Sequence, residues 1–374
     1  MRVLVTGGAG FVGSHLVDAL LRRGHDGPRP RQSHSAGPPR RRGSPTIFRA
    51  DCELAKGDVR DLDAVKRALA RIQVVFHQAA VVGVGQSMYQ IRHYTEHNTL
   101  GGATLLEAPR HFPAFRREGG GRLVDVDLRR GSYRCRNCGI VSPELRGAEQ
   151  MKRQTGSSAA PAAATRRRSI PCSEVKPLQP TSIYAITKRD HEEMFLTVGR
   201  AYGIPTVALR YFNIYGSRQA LSNPYTGVLA IFSGRLLCAE SAGHLRGRRA
   251  VARLRPRERH RPGEPPRHGQ ARSQLTNVFN VGTGRASSVA KIAGLLMGEL
   301  GSTIIPKIAH QFRGGDIRHC FRRHHQDSAR ARLRAEGRPR RRHPRARRVG
   351  PLCRAPSTPS TSADAELVAH GLVK

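Results

Sequence analysis

Val3-Leu4-Val5-Thr6-Gly7-Gly8-Ala9-Gly10-Phe11-Val12-Gly13 is the stretch that decides the fold. Three consecutive apolar residues suit a strand buried on both faces, as in a parallel sheet. Glycines at 7, 10 and 13 let the chain turn tightly and let backbone N–H groups approach a pyrophosphate. They also let the next helix pack close to the strand. Ser14–Arg23 carries that helix: Leu16, Val17, Leu20 and Leu21 fall on one face, and Gly24 ends it. A glycine triplet alone says little. Between a strand and an amphipathic helix it predicts an α/β fold, a doubly wound parallel sheet that binds a dinucleotide.

The chain around this motif has 374 residues, room for one large α/β domain with an appended lobe. Lys+Arg number 65 and Asp+Glu 27, a net charge of +38, and only eight of the basic residues are Lys. Hydrophobic residues make up 38%, aromatics 5%, and Trp is absent, so the core must be aliphatic. No run approaches the ~18 apolar residues of a membrane span. The N-terminus reads as a strand entering a glycine loop, not as a secretory signal. Seven Cys in so long a chain do not make a disulfide scaffold. A soluble, cytoplasmic protein is expected, with no membrane partner.

The charge is concentrated in residues 27–48, 238–273 and 321–357, with shorter stretches near 109–122 and 152–170. These are rich in Arg, Pro, Gly and Ser or Ala, and they lack the apolar surface that would offset the entropy of ordering. A basic arm for nucleic acid is one reading. Such arms usually mix Lys with Arg and sit at a terminus, whereas these interrupt single structural units. The other reading is translation out of frame, since each stretch begins where a recognisable element is cut short. That reading is favoured, and no specific nucleic acid is expected as a partner.

Further motifs lie between the basic stretches. Gly57-Asp58-Val59-Arg60-Asp61 precedes a helix at Leu62–Ala70, for which Asp61 is the better-placed N-cap. Val74-Val75-Phe76 reads as a buried strand, followed by His77-Gln78-Ala79-Ala80 and then Asn98-Thr99-Leu100-Gly101. Pro180-Thr181-Ser182-Ile183-Tyr184-Ala185-Ile186-Thr187-Lys188 places Tyr184 and Lys188 one helical turn apart on one face. A phenol that titrates near ~10 is a poor base at neutral pH, and a neighbouring ammonium favours its ionised form. Arg210-Tyr211-Phe212-Asn213-Ile214-Tyr215-Gly216 follows a strand, and Gly315-Asp316-Ile317-Arg318 comes late in the chain.

Taken together, these blocks resemble the NAD-dependent epimerase/dehydratase family of extended short-chain dehydrogenases/reductases, in the family's own order and over about 60% of the chain. The nucleotide-sugar 4-epimerases acting on UDP-glucose or dTDP-L-rhamnose are the most similar type. The resemblance implies NAD as cofactor, held by Gly7, Gly10, Phe11, Val12, Gly13, Asp58, Val59, Ala79, Ala80, Asn98, Tyr184 and Lys188. Tyr184 and Lys188 are the implied catalytic pair, with Asn213 and Arg318 contacting the nucleotide sugar. A homodimer is the implied assembly. The implied domains are a Rossmann domain over 1–215, a substrate lobe over 216–320 and a basic tail over 321–374. Residues 27–48, 109–130, 152–170 and 238–273 are expected to be poorly ordered within them.

Three family features are missing. The second strand and its ribose-binding acid are replaced by the 27–48 stretch, and Asp26 comes too early to serve. The strand after Asn98 should end in a catalytic Ser or Thr, yet Arg122-Leu123-Val124 runs into Asp125-Val126-Asp127-Leu128. Ser132 lies past the expected position. The phosphate-binding element after Leu237 is replaced by basic sequence. Cys135-Arg136-Asn137-Cys138-Gly139 is half of a zinc ribbon, but only Cys172 follows where a second knuckle should stand, so no metal is expected. The expected activity is transient oxidation and inversion at sugar C4, with this chain nearly inactive as written. A 4,6-dehydratase, an NADPH-dependent sugar-nucleotide reductase and a catalytically dead nucleic-acid-binding protein are the alternatives.

Overall fold

The computed structural model describes residues 2–22, 31–32, 52–108, 121–126, 131–142, 149–150, 168–220, 227–237, 277–282 and 286–300, and parts of 302–321. The apolar run forms β1 (Val3–Thr6), and the glycine turn leads into α1 (Phe11–Leu21). Then come β2 (Arg31–Gln32), α2 (Leu62–Leu69) and β3 (Val74–His77). A long helical stretch follows, made of α3 (Ile91–Tyr94), a π-helical turn (Thr95–Leu100) and α4 (Gly101–Glu107). After β4 (Gly121–Val126) come the short strands β5 (Ser132–Cys135), β6 (Gly139–Val141) and β7 (Arg168–Ile170). The chain continues with α5 (Ile183–Ala201), β8 (Thr206–Tyr211), α6 (Val228–Leu237), β9 (Asn277–Val281) and α7 (Val289–Leu300).

Six strands form one parallel sheet in the order β2-β1-β3-β4-β8-β9, and β6-β5-β7 form a small antiparallel sheet. The chain moves outward from β1 to β2 and then returns to place β3 on the other side of β1. The crevice at the carboxyl ends of β1 and β3 is therefore the topological switch point, where ligands bind in such sheets.

Strand alternation gives both faces a core. Leu4 and Val75 pack with Val65, Leu69, Leu105, Phe195 and Ile204 from α2, α4, α5 and the approach to β8. Val3, Val5 and Phe76 meet Val17 and Leu20 of α1 on the other face. Asp61 caps α2 by accepting from the backbone N–H groups of Asp63 (3.0 Å) and Ala64 (3.1 Å). Ser182 caps α5 by accepting from Ala185 N–H at 3.1 Å, which sets the phase that turns Tyr184 and Lys188 inward.

Three short segments within the arginine-rich stretches pair into the sheets. Arg31–Gln32 pairs with β1, residues 121–126 fill the place between β3 and β8, and residues 168–170 pair with β5. In each case a neighbouring strand supplies the hydrogen-bonding partners. The rest of 27–48, 109–120, 127–130, 152–167, 238–273 and the tail from 322 lie outside the described residues. Beyond the boundary drawn at 216, β9 joins the main sheet through parallel pairing with β8.

A buried ion pair ties α5 to β8. Arg210 donates to Glu192 through Nε (2.8 Å) and NH2 (2.6 Å), and its NH1 donates to the Glu174 carbonyl at 2.9 Å. The paired side chains are 9% and 6% exposed. Arg210→Met strands a buried carboxylate and is expected to cost about 3–5 kcal/mol in urea unfolding. The double variant R210M/E192L should recover most of that loss, and additive losses in this cycle would rule the coupling out.

Candidate active site

The glycine turn and the end of β3 are fitted to each other at backbone level. Gly7 has φ +65°, and a Cβ there would lie 2.8 Å from the Ala79 nitrogen and the Gln78 carbonyl group. A Cβ on Gly13 would collide with the Gly7 carbonyl oxygen. Thr6 joins the two segments: its Oγ1 accepts from the N–H groups of Gln78 and Ala79 (both 3.2 Å) and pairs with His77 Nδ1 at 2.8 Å. Helix α1 starts at Gly10 with no side-chain cap and no acid in its first turn, which leaves its N-terminal dipole available for an anion. The buried amide atoms of Gln78 have no hydrogen-bond partner among the described residues. A pyrophosphate-containing dinucleotide fits this turn.

The structure joins most of the remaining site residues into one network. Asn98, fully buried in the π-helical turn, accepts from Val81 N–H (2.8 Å) and donates to the Val81 carbonyl (3.1 Å) and to Thr187 Oγ1 (3.0 Å). Thr187 in turn donates to the Tyr184 carbonyl at 2.9 Å. The loop after β3, the π turn and the first turn of α5 are thereby held together. π turns of this kind recur at functional sites. Tyr184 and Lys188 are 4% and 1% exposed, and the ammonium stands 6.0 Å from the phenol ring centre.

Three neighbours were given no role by the sequence motifs. Tyr94 meets the Tyr184 ring edge-on at 6.3 Å and donates from its hydroxyl to Gln86 Oε1 at 3.0 Å. Burial raises the Tyr94 pKa, so this phenol remains a neutral donor beside Tyr184. His191 lies one turn beyond Lys188 and donates from Nε2 to the Asn98 carbonyl at 2.6 Å. The third, Thr187, is visible in the sequence only as the residue between Ile186 and Lys188.

Burial, followed by repulsion from Lys188, lowers the His191 pKa to about 3, with the Asn98 carbonyl opposing both. An unfolded histidine titrates near ~6.5, so the unfolded chain takes up this proton first. The stability that depends on neutral His191 is complete above pH ~6.5 and drains away as the pH falls toward the folded value. His191→Gln keeps a donor without the titration. Its melting temperature is expected to fall less steeply than that of the parent chain between pH ~6.5 and ~5. Parallel melting curves would overturn the assignment.

The other predicted residues are more dispersed. Asp58 accepts the Arg60 backbone N–H (2.8 Å) and its guanidinium (2.6–3.0 Å), while Val59 packs against Gly101 beside the π turn. Ala79 is buried and Ala80 half-buried. Asn213 is half-buried in the loop after β8. That loop is fastened over α1 by Arg218–Asp18 (2.7 Å) and by His15 Nε2 to the Ser217 carbonyl (2.8 Å). Arg318 and Asp127 lie outside the described residues. Ser132, near the missing hydroxyl position, is buried and bonded to Cys172. Cys135 is buried and Cys138 exposed on the β5–β6 hairpin, and no group of three or more metal-ligating side chains occurs among the described residues. Among the same residues, no helix is long and apolar enough to cross a membrane.

This fold and this site define a dinucleotide-dependent member of the short-chain dehydrogenase type. The chain belongs to the NAD dependent epimerase/dehydratase family, whose pattern matches residues 3–248, and NAD is the cofactor of that family. It is 28% identical over 348 residues to a dTDP-L-rhamnose 4-epimerase of Burkholderia thailandensis, covering 85% of this chain and 86% of that protein. It is 26% identical to a putative UDP-glucose 4-epimerase of Methanocaldococcus jannaschii over 80% and 82% of the two chains. Its fold resembles the Thermus thermophilus UDP-glucose 4-epimerase solved with NAD, with TM-score 0.60 and 25% identity over 86% and 90% of the chains.

Proposed function

We propose that the chain is an NAD-dependent nucleotide-sugar 4-epimerase of very low turnover. The carrying observation is the burial of Tyr184 and Lys188 together on α5, locked through Thr187 and Asn98 to the loop after β3. NAD supplies hydride acceptance from sugar C4 and its return. Tyr184 takes the C4 hydroxyl proton at its phenolic oxygen, and the Lys188 ammonium favours the ionised phenol. The glycine turn receives the pyrophosphate, Asp58 the adenine, and Asn213 and Arg318 the substrate diphosphate. The working unit in this reading is a cytoplasmic homodimer.

Low turnover follows from the chemistry still present. No Ser or Thr occurs from Gly121 to Gly131, so the reacting hydroxyl lacks a second hydrogen-bonding partner. Loss of such a group costs ~10²–10⁴-fold in proton-transfer catalysis. The test incubates the full chain with UDP-glucose, UDP-galactose or a dTDP-6-deoxyhexose and follows C4 configuration by NMR. Slow inversion without change in nicotinamide absorbance supports the reading. Stoichiometric NADPH loss, or a 4-keto-6-deoxy product, overturns it in favour of a reductase or a dehydratase.

A further inference from the structure

Cys172 and Cys320 are distant in sequence, yet they share a buried cluster with Phe212 and are 5% and 9% exposed. The Cys172 backbone N–H donates to the Phe321 carbonyl at 2.6 Å, so the two segments run side by side. The two thiols are hydrogen-bonded to each other, and Cys172 also takes hydrogen bonds from the Ser132 side chain and backbone. Both cysteines line a cleft with Ser173, Lys176, Arg210 and Asn280. Pro180, Thr181 and Ala185 form another part of its wall, at the start of the helix that carries Tyr184. A small oxidant can thus meet a pair of thiols already in contact.

We propose that Cys172 and Cys320 form a peroxide-sensitive dithiol that closes to an intrachain disulfide beside the first turn of α5. The Cys172 sulfur, as thiolate, attacks one oxygen of a hydroperoxide, the O–O bond breaks, and Cys172 becomes a sulfenic acid. The Cys320 sulfur then attacks the Cys172 sulfur, and the sulfenic oxygen leaves as water. With hydrogen peroxide, two thiols give up two protons and two electrons, and the peroxide is reduced to two waters. The electrostatics agree with Cys172 as the attacking group. The hydrogen bond with Cys320 outweighs burial, and Ser132 and the Lys176 charge add to it, lowering the Cys172 pKa to about 6. Thiolates so stabilised are the ones that oxidise first. Closing to an S–S bond of ~2.05 Å asks for side-chain rotation and a small approach of the two segments.

The proposal does not rest on the epimerase reading, and its test needs no substrate. The full chain is reduced, desalted and exposed to a slight excess of hydrogen peroxide. Remaining thiols are blocked with N-ethylmaleimide, and peptides are mapped by mass spectrometry without reduction. Expected is a cross-linked pair of peptides containing Cys172 and Cys320, two hydrogens lighter than their sum and released by dithiothreitol. Exposed Cys138 should be alkylated. In Cys320→Ser, a dimedone adduct should accumulate on Cys172. Full alkylation of both cysteines after peroxide, or a bridge from Cys172 to any other cysteine, overturns the proposal. If Cys320→Ser fails to fold, the cross-link map of the parent chain decides alone.

Discussion

Asn98→Leu is expected to lower the unfolding free energy by about 3–5 kcal/mol, because it leaves several buried polar groups without partners at once. Leucine keeps the branched heavy-atom outline of asparagine, but the Val81 N–H and carbonyl both lose their side-chain partner. Thr187 Oγ1 loses the amide that donates to it. Each orphaned group costs ~1–3 kcal/mol when water cannot replace its partner. Thermal unfolding should move down by about 10 °C for a unit of this size. Asn98→Asp keeps the acceptor for Val81 N–H and should fall in between. A leucine variant melting within a degree of the parent chain would show that the loop after β3 is held by packing alone.

Tyr184→Phe is the larger functional test. Removing the phenolic oxygen deletes the proton acceptor while keeping the ring against Tyr94. C4 inversion should fall by a further ~10²–10⁴-fold, below detection in a chain already slowed by its missing hydroxyl partner. The melting temperature should barely change. Nicotinamide affinity should also be nearly unaffected, and it can be read by NADH fluorescence without interference, since the chain has no Trp. Inversion at an unchanged rate in the phenylalanine variant would remove Tyr184 from the chemistry. Lys188→Met separates the roles: loss of activity recovered at high pH, where the phenol ionises unaided, is the result expected if its charge assists Tyr184.

What could be read from the sequence was local. The Gly7–Gly13 turn, the Asp61 cap and the Tyr184–Lys188 spacing each lie within one element or at one boundary, so their residue types declare them. The placement of Asn98 in a π turn depends on α5, since His191 and Gly102 come together there only after folding. The same is true of Cys172 and Cys320, and of Arg210 and Glu192, which are joined by topology and not by spacing. The strand β4 was legible at Arg122-Leu123-Val124, whereas β2 escaped a compositional reading because arginine-rich flanks hid a two-residue run that gains stability only from β1. The absent hydroxyl between Gly121 and Gly131 was legible for the opposite reason: a motif with a fixed place can be seen to be missing.

The parallel pairing of β8 with β9 bears on how the chain is made. When Thr206–Tyr211 leaves the ribosome, one of its edges can pair with β4, but the other has no partner until Asn277–Val281 has been synthesised. Throughout that interval the nascent domain carries a naked parallel edge flanked by strongly basic chain. Premature termination anywhere between Tyr211 and Asn277 would leave that edge permanently open, a template for strand addition from other copies. Fragments ending in this window should collect in inclusion bodies to a greater extent than chains in which Asn277–Val281 covers β8.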